Sequence, residues 1–76
     1  MTALLEAKEL LSGCLFVPTE KIGDDDKLQT IKELDSLSFA SIVVELESRA
    51  GREIDPVDLL ELRSVRDVAA LLERYR

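Results

Sequence analysis

Aliphatic residues recur at three- and four-residue intervals along most of this chain, and no stretch shows the alternation of a strand. That spacing follows the 3.6-residue turn of an α-helix rather than the two-residue period of a half-buried strand. Leu4, Ala7, Leu11, Cys14 and Leu15 share one face of a helix predicted over residues 3–15, with Thr2 as its N-cap. Phe39, Ile42, Val43, Leu46 and Ala50 form the core stripe of a second helix over 36–50, ended by Gly51. Asp55-Pro56 is an N-cap followed by proline at the first helical position, and it opens a short third helix over 56–62. Ser64-Val65-Arg66-Asp67 reads as a capping-box variant, starting a fourth helix that turns Val65, Val68, Ala69, Leu72 and Tyr75 to one side. The expected fold is therefore all-α, a four-helix bundle of three main helices and one short one. Residues 1–76 make one small domain, near the size at which a single core gives marginal stability.

Residues 17–35 form a long connection for so small a domain. Pro18 and Gly23 punctuate it, and the three-residue spacing of Leu28, Ile31 and Leu34 predicts a short turn that packs down. Asp24-Asp25-Asp26 lacks the spacing and final glutamate of a calcium loop, so a solvated tip is expected. With no histidine and one cysteine, a zinc site built by the protein alone is not expected. Cys14 reads as a small buried hydrophobe, because no histidine or lysine is placed to activate its thiol. One cysteine cannot form an internal disulfide, and Met1 to Glu6 lack the basic start of a secretory signal. Both features fit a cytoplasmic protein. No segment approaches the roughly 18 consecutive apolar residues of a membrane span.

The net charge of −6 is concentrated between residues 33 and 61, where eight acids face only Arg49 and Arg52. An acidic centre argues against nucleic acid and anionic membranes, whose phosphates need clustered Lys and Arg. It favours partners with basic docking surfaces, although acidity also serves solubility alone.

Ser36 stands at the start of the second helix, where unpaired N–H groups and the positive end of the helix dipole suit a phosphate. Serine is also a common N-cap and can serve there without further role. With Ser36 at zero and about 100° per residue, the core stripe spans about 240° to 340°. Leu37, Ala40 and Val44 fall between about 40° and 100°, a second apolar strip on the serine's side, with Glu47 beside it. Either this strip receives a partner, or the helix is buried broadly with Leu37 and Val44 under a neighbour. Without histidine, and with no lysine placed as a base, Ser36 has no partner for nucleophilic catalysis, so no enzyme is expected.

The Asp35-Ser36-Leu37 motif, the acidic apolar helix behind it, Glu53-Ile54-Asp55-Pro56 and the order of helices together resemble the acyl carrier protein family. The resemblance extends over essentially the whole chain. It implies that a phosphopantetheinyl transferase attaches 4′-phosphopantetheine to Ser36, and that the terminal thiol holds an acyl or aminoacyl group as a thioester. It further implies Asp35, Leu37, Ala40, Val44 and Glu47 as docking positions for the transferase, the loading enzyme and downstream synthases or transferases. Ile54 and Leu62 match positions lining a cargo cavity between the second and third helices, and a monomer is expected. The chain departs from the family pattern in three respects. Lys32-Glu33-Leu34 occupies the stretch where a glycine usually precedes the Asp-Ser pair. Ser41 and Ser48 stand where fatty-acid carriers often have acids, and Arg49 and Arg52 add positive charge. These departures point to a specialised pathway rather than primary fatty-acid synthesis, with acyl and aminoacyl cargo both open. The alternative from another class is an unmodified helical module that docks one partner through the Leu37/Ala40/Val44 strip.

Overall fold

A computed structural model of the chain describes residues 3–31 and 35–75. The expected cap at Thr2 and the packing of Leu34 lie outside those residues. The described elements are α1 (Ala3–Leu15), a 3₁₀ turn (Thr19–Lys21), α2 (Leu28–Ile31), α3 (Ser36–Ala50), α4 (Pro56–Leu60) and α5 (Val65–Arg74). The all-α expectation holds: the described residues contain no strand, and one isolated antiparallel bridge joins Lys27 to Ser64. The predicted packed turn in the connection is α2, whose Leu28 is fully buried. The predicted third helix stops short, because Glu61 closes α4 with its N–H on the Asp58 and Leu59 carbonyls.

The three long helices make the bundle, with α1 packed along both α5 and α3. Leu10, Leu11 and Leu15 of α1 meet Ile42 and Leu46 of α3 and Val65, Val68 and Leu72 of α5 in a dry core. Leu10 lies beside the predicted α1 stripe yet is fully buried. A helix with neighbours on two sides buries a wider arc than one stripe of a 3.6-residue period. The caps follow the sequence closely. Gly51 adopts φ 76°, a left-handed conformation that favours glycine, and donates its N–H to the Glu47 carbonyl. The Ser64 hydroxyl accepts from the Asp67 N–H at 3.3 Å, and the Asp67 carboxylate accepts from the Ser64 N–H at 3.0 Å.

The aspartate run is exposed at Asp24 and Asp25, as expected of a solvated tip, and it is also tied to the bundle. Asp24 pairs with Lys8 of α1, Asp25 pairs with Arg66 of α5, and Asp26 Oδ2 accepts from the Gly23 N–H at 2.8 Å. The Arg66 guanidinium holds the Asp25 carboxyl below the ordinary carboxylate range. Backbone bonds from Leu28 N–H to the Arg63 carbonyl (2.9 Å) and from Val65 N–H to the Asp26 carbonyl (3.0 Å) complete the clamp. Local sequence showed the charge and spacing, but the partners come from helices distant along the chain.

Tyr75 packs against the core, as its place on that face predicts, and its hydroxyl is engaged as well. It is half-buried beyond the end of α5, and its hydroxyl donates to Asp58 while accepting from the Asp55 N–H at 3.0 Å. Arg52 stacks over its ring at 4.7 Å, and Arg74 Nη1 reaches Asp58 at 3.1 Å. These ties anchor α4, which has no buried residue of its own.

Candidate functional site

Asp35, rather than Ser36, caps α3. Its carboxylate accepts from the Ser38 N–H at 2.7 Å, and its carbonyl accepts from the Phe39 N–H at 3.0 Å. The Ser38 amide holds the Asp35 carboxyl below the ordinary range, so it is ionised at neutral pH. The capping role that a serine could have filled is therefore already taken. Ser36 is the first residue of α3 and is exposed.

The outer strip of α3 lies in water. Leu37 exposes 78% of its surface and Val44 66%, with Ala40 also exposed, whereas Ile42 and Leu46 on the inner side are fully buried. Broad burial of this helix is thereby excluded. Leu37, Ala40 and Val44 instead form one wall of a groove of about 560 Å³ whose other wall is α1. The Cys14 thiol donates to the Ser41 carbonyl at 3.6 Å near one end, and Arg49 bonds Glu6 at 3.2 Å near the other, so the helices run antiparallel. Leu10, Gly13, Cys14 and Phe16 complete the apolar lining, while Glu9, Glu45 and Arg49 lie at the far end.

Phe16 and Gly13 escaped the sequence reading. Phe16 is 87% exposed and holds φ 58°, a conformation uncommon for a bulky side chain. The available signal was an aromatic just past the end of α1 and outside its core stripe. Cys14 is half-buried in the groove rather than sealed in the core. Burial, followed by the nearby Glu45 carboxylate, pushes its thiol up, so it stays protonated and unreactive at neutral pH.

The acids along α3 are engaged within the protein. Glu45 accepts from Arg49 Nε at 2.9 Å, and Arg49 Nη1 also donates to Glu6 on α1 at 3.2 Å. Glu47 is half-buried, and its Oε2 accepts from the Ile54 N–H at 3.1 Å, fixing the turn after α3. Asp35, Leu37, Ala40 and Val44 gather at one end and along one side of α3, while Glu47 is directed to the following loop. Ile54 and Leu62 are both buried, and neither is among the residues lining the groove. Leu62 borders a small cavity of about 130 Å³ between α4 and α5, among Asp58, Glu61, Asp67 and Arg74. The described residues contain no cluster of three or more His, Cys, Asp or Glu suited to a metal ion. Among them, no helix is long and apolar enough to cross a membrane.

A family model described as a phosphopantetheine attachment site matches residues 6–72. The chain belongs to the phosphopantetheine-attachment family of carrier proteins. It is similar to the acyl carrier protein of Thermotoga maritima, at 28% identity over 69 residues covering 91% of this chain and 85% of the relative. It is thus a carrier and not an enzyme, its cofactor is covalently attached 4′-phosphopantetheine, and its work requires enzyme partners. The site has the chemistry for such a group. An exposed hydroxyl at Ser36 can be reached by a modifying enzyme, and the first-turn amides of a 15-residue helix favour a phosphodiester beside it.

Proposed function

We propose that Ser36 bears the phosphopantetheine arm and that the carrier presents an acyl or aminoacyl group to the enzymes of a specialised pathway. The arm supplies a terminal thiol that holds cargo as a thioester. The observation that carries this reading is the exposed serine beside an Asp35 cap and at the head of the exposed Leu37/Ala40/Val44 strip. Asp35 keeps the first turn of α3 helical and leaves the serine hydroxyl outside the cap. Leu37, Ala40 and Val44 offer an apolar contact to the transferase and to client enzymes. The specialised role is supported by the weak acidity of α3, where Ser41 and Ser48 are neutral and Arg49 neutralises Glu45. Steering of basic partners toward this helix is correspondingly muted.

Co-expression with a promiscuous phosphopantetheinyl transferase, followed by intact-mass measurement, tests the assignment. The expected result is the mass gain of one phosphopantetheine in the wild type and none in Ser36→Ala. No gain in a wild type shown to be helical would favour the unmodified docking module.

A further inference from the structure

Among the described residues, the close helix packing joins α1 to α5 and α3, and α3 to α5. The short helix α4 stands apart from it. No residue of α4 is buried, Leu59 packs only partly against the core, and a cavity of about 130 Å³ lies between α4 and α5. Burial of its own side chains therefore contributes little to holding α4 down. Its ties to the end of α5 are polar, and they converge on one hydroxyl. The Tyr75 hydroxyl donates to the Asp58 carboxylate within α4 and accepts at 3.0 Å from the N–H of Asp55, the cap of α4. Arg74 Nη1 adds a bond to Asp58 at 3.1 Å.

We propose that the Tyr75 hydroxyl is a latch: by bridging Asp55 and Asp58 it sets how often α4 lifts away while α1, α3 and α5 stay closed. Three observations carry it. One hydroxyl spans the cap and the middle of a five-residue helix, so its loss frees both at once. The Asp58 side chain is only 15% exposed, so water poorly replaces a donor taken from its carboxylate. The competing tie is weak, because the Arg74 side chain is 69% exposed and a solvated ion pair contributes little. The tyrosine ring is held separately. It packs against the core and lies under Arg52 at 4.7 Å, so losing the hydroxyl alone leaves the end of α5 in place. A segment with few buried contacts opens locally, at a lower free energy than the whole domain. The latch matters for what α4 displays. Val57 and Leu60 are exposed apolar side chains of this helix, and their placement on the bundle follows the helix that carries them.

Tyr75→Phe removes the hydroxyl and keeps the ring, which isolates the latch. Native-state amide exchange of the full chain reads the opening of α4 at Leu59 and Leu62, whose N–H groups bond the Asp55 and Leu59 carbonyls. Those amides should exchange about tenfold faster in the variant, the factor that matches losing a hydrogen bond to a charged group. Leu46 in α3 and Leu72 in α5 should keep their rates within about twofold, since the core stays closed. Arg74→Gln loses only the exposed ion pair and should speed exchange in α4 by less than about threefold. Thermolysin cleavage beside Leu59 and Leu60, timed by mass, gives a second reading when the α4 amides exchange too fast to follow. It should accelerate by the same factor as the amides. Equal acceleration at Leu46 and Leu72 would mean that α4 opens only with the whole bundle, which overturns the latch. Unchanged exchange and cleavage in Tyr75→Phe overturn it too, as does a larger effect from Arg74→Gln.

Discussion

Along α3, Ile42 and Leu46 are sealed in the core, whereas Leu37 and Val44 expose 78% and 66% of their surface to water. Both faces are aliphatic and belong to one helix, so composition does not distinguish them. What separates them is the neighbour that each side meets: α1 and α5 close over the inner stripe, and the outer strip opens onto the groove. An apolar side chain in water adds little to stability. The inner face therefore holds the fold, and the outer face is available for recognition.

The sharpest way to break this division is a matched pair of truncations. Leu46→Ala should destabilise the protein by about 2–5 kcal/mol, from lost burial and the cavity left behind. Urea unfolding measures it, and a cost below about 1 kcal/mol would mean that the inner face is not the core. Glu47 lies between the two regimes. Glu47→Ala removes the acceptor for the Ile54 N–H and should cost about 1–2 kcal/mol, whereas Glu47→Gln keeps an acceptor and most of the stability. If the glutamine variant folds like wild type yet binds client enzymes more weakly, the carboxylate also contributes to docking. Unchanged binding would confine it to the turn.

On the outer face, Leu37→Ala and Val44→Ala should each shift stability by no more than about 0.5 kcal/mol. Leu37→Ala should nevertheless slow modification by the transferase, measured as mass gain against time. A stability loss comparable to that of Leu46→Ala would erase the contrast. The smallest effect concerns the start of the helix. The Asp35 carboxyl is depressed in the folded protein by its bond from Ser38, so its contribution is complete above its unfolded pKa of about 4. It is lost as pH falls through the lower folded value. Asp35→Asn retains a cap that does not titrate. Wild type should therefore lose more of its urea midpoint than the variant between pH 6 and pH 3, and parallel losses would remove Asp35 from the account.

Several elements were legible because their determinants are local. The bounds of α1 and α3, the left-handed turn at Gly51, the Asp55-Pro56 start and the Ser64–Asp67 box each depend on residues within a few positions of one another. Other features were hidden because their partners are far apart in sequence. Lys8 finds Asp24, Arg66 finds Asp25, and Tyr75 finds Asp58 only once the helices have packed. At the candidate site, the sequence singled out Ser36 and the strip beside it. It did not show that Asp35 performs the capping, that Glu47 turns to Ile54, or that Phe16 and Gly13 face the strip across a groove.

The order of residues alone determined where α3 begins and ends and where α4 and α5 begin, because a 3.6-residue period and a terminal cap are satisfied within a single turn or two. It also determined that α3 has two apolar sides. Which of those sides is covered was decided by the packing of α1 and α5, since burial depends on what another part of the chain brings within van der Waals reach. The groove exists for the same reason, as the space left where two antiparallel helices meet along only one edge of each.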